Sequence, residues 1–124
     1  MSVNADKVLI VEDSVELAEI ILAVLDAMSL EGHHATHGTK AIQIIQEHDP
    51  DLILLDLGLP DMSGWKILEE IKGADGSFRV PVVVITAHDD PANRLIGKLQ
   101  EVSAYLVKPF TPDEVEDIIR LALH

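Results

Sequence analysis

Four short apolar runs in this chain each end on residues that can do chemistry. Glu12 and Asp13 follow "VLIV", Asp56 follows "LILL", Thr86 follows "VVVI" and Lys108 follows "AYLV". Carboxylates at the ends of buried strands are expensive to desolvate without a partner. Three of them drawn together would raise one another's pKa and resist joint ionisation. A divalent cation removes that conflict. The ligands on offer are hard oxygens and the chain has no cysteine, which favours Mg²⁺ over zinc or copper. The Lys108 ammonium and the Thr86 hydroxyl both suit phosphoryl oxygens. A carboxylate beside Mg²⁺, with a lysine to neutralise an incoming phosphoryl group, can become an aspartyl phosphate. Asp56 is the best placed for that role, because its strand reads as the most buried.

That chemistry requires a fold that gathers the four strand ends. The apolar runs 8–11, 52–56, 82–86 and 104–107, with a weak strand candidate at "HHATH" (33–37), alternate with amphipathic stretches. Leu17, Ile21, Val24, Leu25 and Met28 share one helical face after the first run, with Asp13 and Glu16 as a candidate cap. A short helix over 39–48, with Ala41, Ile42 and Ile45 inward, stops at Asp49-Pro50. A third helix over 64–72 carries Trp65, Leu68 and Ile71 and stops at Gly73, and a fourth over about 91–100 contains Gly97. An interior glycine costs a helix up to about 1 kcal/mol. The last helix has Thr111 as N-cap, Pro112 at the first helical position and Glu114 to complete a capping box, with Val115, Ile118, Ile119 and Ala122 marking its buried face.

Five strand–helix units in succession predict an α/β doubly wound (βα)5 flavodoxin-like fold, a parallel sheet covered by helices on both faces. Runs without period-two alternation suit strands buried on both sides, so the weak second strand belongs at an edge. The order 2-1-3-4-5 places it there. It also sets the C-terminal ends of strands 1, 3, 4 and 5 around the switch point where ligands bind.

The chain of 124 residues reads as a single domain, 1–124, with no linker and no output domain. Acidic residues outnumber basic ones by 22 to 9, a formal charge of −13, which argues against direct binding to nucleic acid or an anionic membrane. The absence of cysteine excludes disulfides and suits the cytoplasm. The N-terminal "MSVNADK" lacks a signal peptide's apolar core.

The segments "VLIVED" (8–13), "LILLDLGLPDMSG" (52–64), "VVVITA" (82–87) and "YLVKPF" (105–110) resemble the four signature segments of response-regulator receiver domains, in order and over nearly the whole chain. The resemblance implies a two-component phosphorelay switch in which Asp56 accepts a phosphoryl group from a phosphohistidine on a sensor histidine kinase or a histidine phosphotransfer protein. It implies Mg²⁺ held by Asp13, Asp56 and the Gly58 carbonyl, with Glu12 acting through water. Lys108, Thr86 and the Ala87 backbone amide would bind the phosphoryl group. Thr86 and Tyr105 would carry the conformational change to the face formed by helix 4, strand 5 and helix 5. Lys108-Pro109 matches a peptide usually cis in the family. Such a domain catalyses only its own phosphorylation and dephosphorylation.

The chain also departs from the family pattern. Glu101-Val102 stand where a Gly-Ala pair is common, Gly58 offers no side chain beside the acceptor, and His88 lies two residues past Thr86. The last two positions are expected to tune the lifetime of the phosphoryl group, so His88→Ala should change the autodephosphorylation rate. Two other classes compete with the switch. A haloacid-dehalogenase-type phosphohydrolase would place a second aspartate where Gly58 stands. A phosphorylation-independent interaction module would tolerate loss of Asp56, Asp13 or Lys108, and all three are present. His33, His34 and His37 read as polar residues of an exposed edge rather than a metal site.

Overall fold

In the computed structural model, residues 6–73, 75, 80–87, 91–99 and 102–123 are described. His88 and Glu101 lie outside them. Five strands and five helices alternate: β1 Lys7–Val11, α1 Val15–Ala27, β2 Glu31–Ala35, α2 Gly38–His48, β3 Leu52–Asp56, α3 Gly64–Ile71, β4 Val82–Thr86, α4 Pro91–Leu99, β5 Ala104–Val107 and α5 Pro112–Leu123. All strand pairs are parallel, in the expected order β2-β1-β3-β4-β5.

Strand residues alternate between two hydrophobic layers although their hydropathy does not. Val8, Ile10, Leu52, Leu54, Val83, Ile85 and Leu106 pack with Ala18, Ile21 and Leu25 of α1 and with Val115 and Ile119 of α5. Leu9, Val11, Ile53, Leu55 and Val82 pack on the other face with Ala41 and Ile44 of α2 and Ile67 and Leu68 of α3. A sheet buried on both faces needs apolar side chains in both registers.

Several local expectations shift. β2 begins two residues earlier than "HHATH", because its ladder runs from Lys7↔Glu31 to Val11↔Ala35. Backbone pairing with β1, not side-chain type, sets that register. His37 is therefore freed from the strand and becomes the N-cap of α2. Ser14, rather than Asp13, caps α1, its side chain accepting the Leu17 N–H at 3.3 Å. α2 buries Ile44 more deeply than Ile42 or Ile45. α3 ends with Lys72 at its C-cap, one residue before Gly73. The stop at Asp49-Pro50 holds: Asp49 turns left-handed at φ 48°, a conformation short polar side chains tolerate, ahead of a proline that cannot follow a helical residue easily.

The capping box of α5 forms as read. Thr111 Oγ1 accepts the Glu114 N–H at 3.2 Å, and Glu114 Oε1 accepts the Thr111 N–H at 3.2 Å. Thr111→Ala should cost about 1 kcal/mol, and Leu54→Ala, which empties a fully buried site at the sheet centre, about 3 kcal/mol. Urea unfolding midpoints at constant slope measure both.

Candidate functional site

The parallel sheet brings the four chemical strand ends to one edge. Asp56 is the last residue of β3 and Thr86 of β4, each 4% exposed. Glu12 and Asp13 follow β1, and Lys108 follows β5. An open cleft of about 410 Å³ is lined by Asp13, Asp56, Leu57, Gly58, Ser63, Trp65, Thr86, Ala87 and Lys108. A larger cleft of about 550 Å³, of mixed polar and apolar lining, lies at the opposite end of the sheet, between the C-terminal turns of α2 and α3. It shares no residue with the acidic cluster.

Glu12 lies beneath the cleft with its side chain wholly out of water. Lys108 Nζ stands 2.8 Å from Glu12 Oε1 and 3.5 Å from Asp56 Oδ2. The shorter contact is an ion pair without the alignment of a hydrogen bond, so Oε1 is held by charge and has no directed donor. Its other oxygen accepts the Ser14 N–H at 3.2 Å. Asp56 Oδ1 accepts the Gly58 N–H at 3.0 Å. Carboxylate oxygens of Glu12, Asp13 and Asp56 lie within 4.8 Å of one another.

Backbone contacts hold this geometry. Glu12 N–H donates to Ala35 O at 3.0 Å, and Lys108 N–H to Thr86 O at 2.8 Å. His34 Nε2 is 2.7 Å from the Glu12 carbonyl, so that nitrogen carries the proton and donates. By sequence pattern alone His34 is only a polar edge residue. Its signal was the weak strand itself, whose side chains reach the site from one strand away. His33 instead meets Glu31 at 2.8 Å and stacks on His48. The Lys108–Pro109 peptide bond is cis.

The expected mutual rise in carboxylate pKa is unevenly shared. Burial, only partly offset by Lys108, pushes Glu12 up to about 7. Exposed Asp13 is held below its usual value by its hydrogen bond with Glu12. Glu12 therefore keeps the proton that Asp13 gives up, as befits the more deeply buried acid. Lys108 is raised by Glu12 and Asp56, against the opposing effect of its own burial.

Tyr105 belongs to a different contact. The Arg94 guanidinium lies 4.2 Å from its ring centroid, a cation–π distance. A Cβ placed on Gly97 would overlap the tyrosine hydroxyl and ring, so the glycine in α4 is the seat on which Tyr105 rests. Among the described residues of α4, Gly97 is the buried position, while Leu95 and Leu99 are 58% and 73% exposed.

A doubly wound sheet with an acidic, lysine-flanked cleft at its switch point defines a class, and comparison with known proteins gives it a family. Residues 8–120 match the response regulator receiver domain. The DNA-binding response regulator MtrA of Mycobacterium bovis is 32% identical over 99% of this chain and 53% of its own length. The probable transcriptional regulator ycf27 of Cyanophora paradoxa is 32% identical over 99% of this chain and 50% of its own. The chain thus spans about half the length of these relatives. The chemotaxis protein CheY4 of Vibrio cholerae superimposes with a TM-score of 0.89 at 25% identity, covering 97% of this chain and 100% of that one. The BeF3-activated N-terminal receiver domain of RstA from Klebsiella pneumoniae gives 0.84 at 28% identity, covering 96% and 99%. The chain belongs to the response-regulator receiver domains of two-component signalling.

Two outcomes test this geometry. The folded chain keeps a proton on Glu12 that the unfolded chain loses above pH 4.5. The resulting stabilisation is complete below pH 4.5 and disappears as pH rises through about 7. Chelator-treated protein should lose stability across that window in urea titrations, and Glu12→Gln should lack the slope. Gly97→Ala should displace Tyr105, changing the tyrosine ring resonances by NMR while α4 stays helical.

Proposed function

We propose that this domain is a phosphoacceptor switch in which Asp56 takes a phosphoryl group from the phosphohistidine of a sensor histidine kinase or histidine phosphotransfer protein. The observation that carries this reading is the position of Asp56. It is nearly buried at the sheet centre, one oxygen is held by the Gly58 N–H, and the other lies 3.5 Å from Lys108. A carboxylate so oriented can attack phosphorus in line. The Asp56 O–P bond forms as the P–N bond breaks, and the electron pair leaves with the imidazole nitrogen. Attack of water on the phosphorus later releases inorganic phosphate and restores the carboxylate.

The donor set supports Mg²⁺. Its oxygens are hard and closely spaced, and one of them, Glu12 Oε1, is buried without a directed donor. Asp13, Asp56 and the Gly58 carbonyl would hold the ion, with Glu12 acting through water. When bound, Mg²⁺ neutralises carboxylate and phosphoryl charge so that the two can approach. Lys108 sets a positive charge beside the acceptor where phosphoryl oxygens arrive. The Thr86 hydroxyl and the Ala87 amide, at the end of the neighbouring strand, are the remaining donors to those oxygens. Thr86 and Tyr105 then pass the change to the face of α4, β5 and α5. The domain has no separate substrate and turns over only its own phosphoryl group.

No helix among the described residues is long and apolar enough to cross a membrane. The DNA binding named for MtrA belongs to that longer protein. In this reading, with a charge of −13, the receiver acts through protein partners.

Incubation with acetyl phosphate and Mg²⁺ should add about 80 Da, one phosphoryl group, by intact-mass spectrometry. The adduct should be absent in Asp56→Asn and when EDTA replaces Mg²⁺. Failure of the parent protein to form it with either acetyl phosphate or a competent kinase would favour a phosphorylation-independent module. Steady phosphate release from added phosphoesters would favour a hydrolase.

A further inference from the structure

Asp61 sits at the tip of the loop joining β3 to α3, yet its carboxylate serves a different element. Oδ1 accepts the Gly38 N–H at 2.8 Å, while Oδ2 accepts the Thr39 N–H at 3.1 Å and the Thr39 hydroxyl at 3.0 Å. His37 Nδ1 accepts the Lys40 N–H at 3.3 Å, and the Ala41 N–H donates to the His37 carbonyl at 3.1 Å. A helix leaves its first N–H groups without partners of its own. In α2 two of them are satisfied by a carboxylate from another loop, at the end of the helix that favours negative charge. The Gly38 N–H above all draws the Asp61 carboxyl down to about 2. Met62 adds an apolar contact. A Cβ on Gly38 would overlap Met62 Cγ and Sδ, so this glycine lets the loop lie directly on the α2 backbone.

The base of the same loop is built onto the acceptor. The Gly58 N–H donates to Asp56 Oδ1, Gly58 bridges Ser63, and the Gly64 N–H donates to the Leu57 carbonyl at 3.2 Å. The loop is thus closed against Asp56 at one end and pinned to α2 at the other.

We infer that Asp61 is a positioning residue: by tying the loop tip to α2 it holds the Gly58 peptide in place beside Asp56 for a bound cation, and so couples cation binding to the N-terminus of α2. This rests on the reading of the acidic cleft as a Mg²⁺ site. Asp61 does not touch the cation and acts through the loop. Its two acceptor oxygens and its charge are both used, and an asparagine offers one acceptor and no charge.

Two measurements with Mg²⁺ alone decide the matter. Amide exchange at Gly38 and Thr39 is followed by NMR in the unaltered protein, with and without Mg²⁺. Mg²⁺ affinity is followed through the fluorescence of Trp65, which lines the cleft, in the parent, in Asp61→Asn and in Thr111→Ala. Mg²⁺ should slow exchange at both amides by about fivefold or more, and Asp61→Asn should weaken Mg²⁺ binding by a comparable factor, because coupling is reciprocal. Thr111→Ala loses the cap of α5, a helix outside the loop, and should bind Mg²⁺ as the parent does. Unmoved exchange at Gly38 and Thr39 with Mg²⁺ bound, or parental affinity in Asp61→Asn, overturns the coupling and leaves the cation site standing. A parent that binds no Mg²⁺ defeats the reading of the site and this inference with it. If Asp61→Asn fails to fold, the exchange result on the unaltered protein decides alone.

Discussion

The Lys108 ammonium, 2.8 Å from Glu12 and 3.5 Å from Asp56, is the interaction around which this domain's chemical edge is arranged. A wholly buried glutamate beside a nearly buried aspartate would otherwise lose too much hydration to persist as charges. One lysine cannot satisfy both acids and the neighbouring Asp13, and the surplus appears as a proton that Glu12 retains up to about pH 7. A cation bound between the carboxylates would take over that neutralising role, and would free Lys108 to meet an incoming phosphoryl group.

Keeping such a cluster in register falls to the backbone. Glu12 is held at its N–H by Ala35 and at its carbonyl by His34, both of the edge strand, while the Lys108 N–H is held by Thr86. The strand weakest in hydropathy therefore has a definite task. It fixes the peptide on which the most buried acid stands. Around Asp56 the loop to α3 does the equivalent work through Gly58, with Asp61 and Met62 anchoring its tip to α2.

α4 is attached differently. α1, α2, α3 and α5 each bury apolar side chains in one of the two hydrophobic layers, and no described residue of α4 joins either. Among its described residues, Gly97 rests on Tyr105 and Arg94 lies over the ring. With no described residue in either layer, α4 has a smaller hydrophobic hold than its neighbours. Movement of the Tyr105 side chain would be felt by the helix directly. The interior glycine, which a helix propensity argument counts as a weakness, is explained by the volume of the tyrosine.

Apolar runs buried on both faces, the caps at Thr111 and Asp49-Pro50, and the polar residues closing each central strand were legible in the sequence, because each depends on neighbours along the chain. They were enough for the sheet order and for the cluster of Glu12, Asp13, Asp56, Thr86 and Lys108. What escaped depends on partners distant in sequence. The bounds of β2 follow from its ladder with β1. The tasks of His34 and Asp61 lie 22 and 23 residues away along the chain, at Glu12 and Gly38. The sequence by itself determined which groups meet at the edge, since a parallel sheet sends every strand's C-terminal end the same way. Only the tertiary structure decided which acid is buried, which carries the proton and which loop is pinned, because desolvation and hydrogen bonding depend on what the fold packs around each group.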